Sequence, residues 1–195
     1  MRYQRLGFAP VFLALTVMMS GCGYNDIQTL DEGASKAKQQ IAVQLQRRAD
    51  LIPNLVEVVK GFAKQESEVF TNVAEARAKL GGAITGGNLG QMAAASQGLN
   101  GALGRLLAIS ESYPQLKSNE NFLRLQDELS GTENRIGVAR TDYNSAVNEY
   151  NTYIRKFPQV MTAKVMSMQP REYFDADKAA ATVPKIDMTT PAKKP

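Results

Sequence analysis

A seven-residue repeat of apolar and small side chains in the C-terminal half most strongly constrains the fold of this chain. Its steps alternate between three and four residues through five heptads, which is typical of the seam of a left-handed coiled coil. A helix is therefore predicted to begin at Ser118 or Asn119 and to end at Phe157, before Pro158. Such a helix would be roughly 60 Å long and would need an equally long partner. The seam positions are Phe122, Leu125, Leu129, Thr132, Ile136, Ala139, Tyr143, Ala146, Tyr150, Tyr153 and Phe157.

Residues 25–80 supply that partner, because they are rich in helix-forming residues and their apolar side chains follow one face of a helix. Pro53 lies inside this pattern, and a proline removes one backbone donor from a helix. We therefore expect a kink or a brief break between Asp50 and Pro53, with Asp50 capping the segment that follows.

Glycine pairs at residues 81–82 and 86–87 are expected to end the first helix and to form a turn. A second helix is predicted from about Asn88 to Ser112, and its three glycines, Gly98, Gly101 and Gly104, are interpreted as sites of close helix–helix approach. With the kinked helix counted as two pieces, the fold class is all-α, as an elongated antiparallel up-and-down four-helix bundle with long helices. Residues 159–174 could add a short helix at one end of the bundle.

The N-terminus resembles the signal peptide of bacterial lipoproteins. Arg2 and Arg5 precede an apolar run over residues 6–19, and small residues then lead to Cys22, the only cysteine. The run is shorter than the roughly 20 apolar residues that span a bilayer. In such signals the cysteine is acylated with diacylglycerol and becomes the first mature residue. The alternative is a free thiol beside an uncleaved membrane anchor.

We therefore predict that the chain has three parts. Residues 1–21 are a signal peptide that is removed, residues 22–175 form the helical domain, and residues 176–195 are a disordered tail rich in lysine and proline. The domain is expected on the periplasmic or extracytoplasmic side of a cell-envelope membrane, held by lipid on Cys22. Whether that membrane is the inner or the outer one stays open.

The composition excludes several kinds of chemistry. There is no histidine, so imidazole catalysis and imidazole metal ligation are excluded. Losing Arg2 and Arg5 from the 23 basic residues leaves 21 against 19 acidic ones, a net charge of +2 that gives no reason to expect a nucleic-acid partner. No cofactor and no metal are expected.

Several sequence segments between residues 24 and 175 stand out together. They are residues 45–56, 113–117 and 128–136, with Ala139-Arg140, Tyr143-Asn144, Tyr150-Asn151 and Phe157-Pro158. These segments are similar to the signature segments of the LemA family of bacterial envelope proteins. The resemblance implies a long-helix bundle that projects from a membrane, and many members carry one N-terminal hydrophobic anchor. This chain departs from the pattern by ending that segment in a lipobox-like cysteine.

Two groups of polar residues could carry a function. The first group interrupts the apolar seam of the first helix, and the second lies along one flank of the last helix. Each group is either a surface that binds a partner or an anionic group, or an interhelical network that sets helix register. The first group is Arg47, Arg48, Asp50 and Asn54, and the second is Glu133, Arg140, Asn144 and Asn151, with Glu66 and Arg77 as possible opposites.

Three functions are compatible with these features. The favoured one is a non-enzymatic interaction or scaffold protein of the envelope, whose partners would be the membrane and envelope proteins. The second is an enzyme that uses paired carboxylates, with Glu66 and Glu133 as the candidates. The third is a structural spacer that associates with itself.

Overall fold

The computed structural model describes residues 23–174, which form helices and connecting segments without any β-strand. The prediction of an all-α fold is confirmed. The predicted signal peptide over residues 1–21, Cys22 and the predicted tail over residues 176–195 lie outside the described residues. The helices are α1 (Tyr24–Phe62), α2 (Ser67–Gly86), α3 (Leu89–Ser112), α4 (Pro114–Lys117), α5 (Glu120–Tyr153) and α6 (Gln159–Val165).

Helices α1 and α5 form the long antiparallel pair that the seam predicted. Tyr153 at the end of α5 donates a hydrogen bond to Asp26 at the start of α1, at 2.7 Å, and Glu133 meets Arg48 further along. Helix α1 has 39 residues and is therefore about 58 Å long. The α2–α3 hairpin packs beside the C-terminal part of α1 and reaches α5 through a hydrogen bond between Arg140 and Ser96. Both pairs share one hydrophobic core.

Of the kink or brief break expected between Asp50 and Pro53, the break is wrong, because α1 continues through Pro53 and the chain leaves it only at residues 63–66, and the kink stays a prediction. A contact that replaces the lost backbone hydrogen bond explains why the helix continues through Pro53. Pro53 has no N–H to donate to the carbonyl of Ala49, four residues earlier. Arg77 of α2 donates its Nε–H to that carbonyl oxygen at 2.9 Å. A side chain from the neighbouring helix thus satisfies the acceptor that proline leaves without a donor.

The hairpin turn is shorter than the glycine pairs suggested. Helix α2 passes through Gly81 and Gly82, because Leu80 and Ala83 on either side are buried in the core. The chain turns at Gly87, whose φ of +66° favours glycine, and whose N–H donates to the carbonyls of Ala83 and Ile84. Asn88 then caps α3 by accepting from the N–H of Gln91 at 2.9 Å.

The glycines of α3 do not mark close helix–helix contacts. A Cβ atom added at Gly98, Gly101 or Gly104 would meet no heavy atom within 4 Å. That interpretation was therefore wrong: these three positions face open space.

The seam of α5 follows the prediction as far as Tyr143 and then shifts. Beyond Tyr143 the buried apolar positions are Val147, Tyr150 and Ile154, whereas Ala146 and Tyr153 are only partly buried; the polar Asn151 is buried as well. The steps from Ala139 to Tyr143 and from Tyr143 to Val147 are both four residues, which brings the pattern closer to the 3.6-residue period of a straight helix. The helix also ends earlier than predicted, at Tyr153, and Phe157 is 78% exposed.

Beyond α5, the short helix expected over residues 159–174 forms only as α6. Residues 166–174 leave the helix and run back along α5, antiparallel to it, so that residue 169 lies beside Tyr150 and residue 174 beside Asn144. We call residues 169–174 the strap. Within residues 23–174, no helix has both the length and the apolar character needed to cross a bilayer.

Candidate functional site

The polar flank predicted on α5 contributes to two connected clusters of polar side chains, of which the second binds the strap. The first is centred on Arg48 of α1, which is only 8% exposed and makes a hydrogen-bonded ion pair with Glu133. Burial lowers the pKa of Arg48, the charge of Glu133 raises it, and the nearby charge of Arg140 lowers it again. Because an arginine pKa starts so far above neutrality, Arg48 stays cationic, and Glu133 compensates its buried charge.

Arg140 connects this cluster to the strap. Its Nη2 donates to the hydroxyl of Ser96 on α3 at 3.2 Å, and its guanidinium lies 4.8 Å from the centroid of the Phe174 ring. This distance is within the range of a cation–π interaction. One side chain therefore connects α3, α5 and the end of the strap.

Two asparagines one heptad apart on α5 hold the backbone of the strap. Asn151 donates from Nδ2 to the carbonyl of Arg171 at 2.9 Å, and its Oδ1 accepts from the N–H of the same residue at 2.8 Å. Asn144 makes the same pair of bonds with Phe174, at 3.1 and 2.8 Å. Each asparagine amide thus binds the N–H and the carbonyl of one strap residue, as a neighbouring β-strand would. These bonds do not depend on the side chain of that strap residue.

Two tyrosines beside the asparagines add hydrogen bonds to the strap carbonyls. The hydroxyl of Tyr143 donates to the carbonyl of Glu172 at 2.8 Å, and that of Tyr150 donates to the carbonyl of Gln169 at 3.2 Å. Both side chains are buried, and burial raises the pKa of both hydroxyls. The neutral hydroxyl that these hydrogen bonds need is therefore favoured in the folded state.

The strap also reaches α1 through an ion pair that the sequence patterns missed. Arg171 donates from Nε and Nη2 to the two carboxylate oxygens of Asp31 at 2.6 and 2.8 Å, and to the hydroxyl of Ser35 at 2.7 Å. The hydrogen bond with Asp31 raises the pKa of Arg171. No helical spacing connects residue 171 with residue 31. The one sequence signal for the strap is the Tyr-Asn dipeptide, which occurs twice on α5 at a spacing of seven residues and binds the strap both times.

The other predicted residues lie apart from these clusters. Arg47, Asp50 and Asn54 are exposed, and Asp50 accepts a hydrogen bond from Gln46 instead of capping a helix. Arg77 binds the Ala49 carbonyl and does not face Glu133.

The carboxylate pair proposed for catalysis does not form. Glu66 is the N-cap residue of α2, in the loop after α1. Glu133 pairs with Arg48, which lies 14 residues before the end of α1, or about 21 Å along its axis. The two carboxylates therefore do not converge on one substrate.

Three of the shallow grooves on the surface of residues 23–174 have volumes of about 460 to 580 Å³, and each of these three contains at most one carboxylate. Asp142 lies in the groove between α1 and α5, and Glu75 lies in the groove between α2 and α3. Residues 23–174 also bring together no group of three His, Cys, Asp or Glu side chains that could hold a metal. The hydrogen bonds and ion pairs of both clusters join parts of this chain to one another, whereas Nε of Arg48 and Nε of Arg140 are buried without a hydrogen-bond partner.

These features define a class of all-helical proteins built on one long helix pair, with a C-terminal strap held by side chains of α5. The profile of the LemA family matches residues 37–188, and the chain belongs to this family. Among characterised proteins it is similar to magnetosome proteins MamQ 1 and MamQ 2 of Paramagnetospirillum magneticum and to magnetosome protein MamQ of Magnetospirillum gryphiswaldense. Each is 27% identical over 215 residues, covering 94% of this chain and 79% of the relative.

Proposed function

We propose that this LemA family protein is a lipoprotein of the bacterial cell envelope that acts as a non-enzymatic interaction or scaffold protein. Cys22 carries the lipid, and the helices form an elongated four-helix bundle that projects from the membrane on the periplasmic or extracytoplasmic side. The bundle presents helical faces to other envelope proteins.

The observation that carries this proposal is the position at which α1 begins. Gly23 is its N-cap, with a φ of +97°, and the first helical residue is Tyr24. A lipid on Cys22 would therefore be attached next to the end of a 39-residue helix. Such a short connection would transmit the position of the anchor directly to a rigid element about 58 Å long.

The contacts between the polar side chains support a scaffold role rather than a catalytic one. Arg48 is neutralised by Glu133, the two asparagines bind backbone groups of the strap, and Arg171 pairs with Asp31. A general acid or base needs a carboxylate with an open approach to a substrate and a second catalytic group nearby. The separation of Glu66 from Glu133 argues against the carboxylate enzyme considered as the alternative.

Two measurements test the proposal. Substituting Cys22→Ala should abolish lipid labelling and signal-peptide processing, whereas unchanged mass and unchanged membrane partition in the variant would contradict the anchor. Affinity capture of the membrane-extracted protein should recover other envelope proteins. Recovery of this chain alone would contradict the scaffold role and favour the self-associating spacer.

A further inference from the structure

The exposed apolar side chains of this protein are concentrated at one end. Ten large hydrophobic residues are exposed within residues 23–174, and four of them fall within the ten residues 157–166. Their exposed fractions range from 48% for Met166 to 82% for Val165. We call these four residues, Phe157, Met161, Val165 and Met166, the end patch.

The geometry of α6 separates the end patch from the core. Thr162 and Ala163 are buried, and Ala163 packs in a small cluster with Ile27 and Tyr150. Met161 and Val165 are four residues apart, so they share one face of α6, and that face is directed away from the cluster. The helix is thus fixed to the protein by one side and shows its apolar side to the surroundings.

The end patch lies beside the start of α1. A Cβ atom built on Gly23 would be 2.9 Å from Cγ of Gln159, the first residue of α6, and 3.4 Å from the hydroxyl of Tyr153. Cys22 is the residue before Gly23. The patch and the predicted acylation site therefore belong to the same end of the molecule.

Three exposed cations, Arg155, Lys156 and Lys164, lie in or next to the segment that carries the patch, and the sequence contains no acidic residue between Glu149 and Glu172. Asp26 of α1, at the same end, accepts a hydrogen bond from Tyr153. An apolar helix face flanked by cations is the pattern of segments that lie at the boundary between headgroups and acyl chains of anionic membranes.

We propose that the end patch is a membrane-contact surface that inserts among the headgroups of an anionic phospholipid bilayer. The inference rests on the proposed acylation of Cys22, which would bring this end to the bilayer. The lipid and the patch then form two adjacent attachments, and together they limit the angles that the long helices can adopt relative to the membrane.

The test uses the full lipidated chain in protein-free vesicles of phosphatidylethanolamine and phosphatidylglycerol. Val165→Cys is labelled with an environment-sensitive maleimide dye, and Val138→Cys is the matched control, because Val138 is 61% exposed in the middle of α5. The dye at position 165 should emit at shorter wavelength than the dye at position 138. Brominated acyl chains should quench it, and aqueous iodide should not.

Charge provides a second arm of the test. Lys156→Glu combined with Lys164→Glu should reduce the lipid quenching at position 165 in vesicles with phosphatidylglycerol. Lys117→Glu, on α4 at the opposite end of the long helix pair, should leave it unchanged.

Two results would overturn the membrane contact. One is equal exposure of both dyes to water. The other is shielding of position 165 in native membranes but not in protein-free vesicles, which would identify a protein as the occupant. The mass of the chain separately reports the acylation of Cys22. If acylation fails, Cys22→Ala is added to both variants so that the dye labels position 165 or 138 alone, and the difference between the two positions still decides the contact.

Discussion

Arg77 donates to the carbonyl that Pro53 leaves without a backbone partner, and this relation predicts a strong energetic coupling between the two residues. In the native chain, Arg77→Met would leave the carbonyl of Ala49 without its donor. Ala49 is only 3% exposed, so this acceptor is poorly placed to recover a hydrogen bond from water. Leaving a buried acceptor unsatisfied costs about 1–3 kcal/mol, and we expect Arg77→Met to lower the free energy of unfolding by about 2 kcal/mol.

The same substitution should cost much less when residue 53 can donate. In a Pro53→Ala background, the N–H of residue 53 can bond to the Ala49 carbonyl within the helix, so the loss of Arg77 leaves no orphaned acceptor. We expect a cost below about 1 kcal/mol in this background and hence a coupling energy of at least about 1 kcal/mol.

Urea unfolding of the four chains of this double-mutant cycle measures the coupling, with all proteins produced as residues 22–195 carrying Cys22→Ala. Arg105→Met is the control for a generic loss of charge, because Arg105 is exposed on α3. If Arg77→Met has the same cost with proline and with alanine at position 53, the contact with Ala49 does not explain the continuity of α1.

Three further predictions concern the polar clusters. Asn151→Ala should lower the free energy of unfolding by about 1–3 kcal/mol and should remove hydrogen-exchange protection from the strap. The control Asn134→Ala, at an exposed position of the same helix, should have neither effect. Equal effects of the two substitutions would contradict the asparagine contacts. Burial raises the pKa of Tyr143 above its ordinary value of 10.0, so its contribution is fully present below that pH and is lost as the pH rises through the raised value. Tyr143→Phe should flatten this alkaline loss in pH-dependent denaturation, and an unchanged slope would contradict it. Glu133→Gln should lower the free energy of unfolding by about 1–3 kcal/mol, because Arg48 would keep an uncompensated charge. In a chain that already carries Arg48→Met, urea unfolding should show little effect of Glu133→Gln. An effect that persists in this background would contradict the pairing.

The long helices could be predicted because their signal is repeated many times. The heptad positions from Phe122 to Tyr143 are all buried, so each turn of α5 independently reports the same face. The starts of α3 near Asn88 and of α5 near Asn119 were also predicted, and at both positions the asparagine side chain accepts from a free N–H of the first turn.

The continuity of α1 could not be predicted from local sequence. Whether a proline interrupts a helix depends on the groups that surround it in space. Arg77 lies 28 residues from Ala49, and nothing in the spacing of the two residues indicates that its Nε would replace the missing donor.

The strap could not be predicted from the sequence for a similar reason. Residues 169–174 have no helical or alternating pattern of their own, and side chains of α5 supply hydrogen-bond partners for their backbone. The flank residues Asn144 and Asn151 were recognised as a group, but their ligand, a backbone segment of the same chain, appears only in the folded structure. The ion pair of Arg171 with Asp31 joins residues 140 positions apart and has no local signature.

We propose that lipid on Cys22 attaches this long-helix protein to an envelope membrane, and the intact mass of the protein extracted from membranes tests this attachment. We expect the mass of a chain that begins at Cys22 and carries diacylglycerol on that residue. A chain that retains residues 1–21 and a free thiol at Cys22 would contradict it.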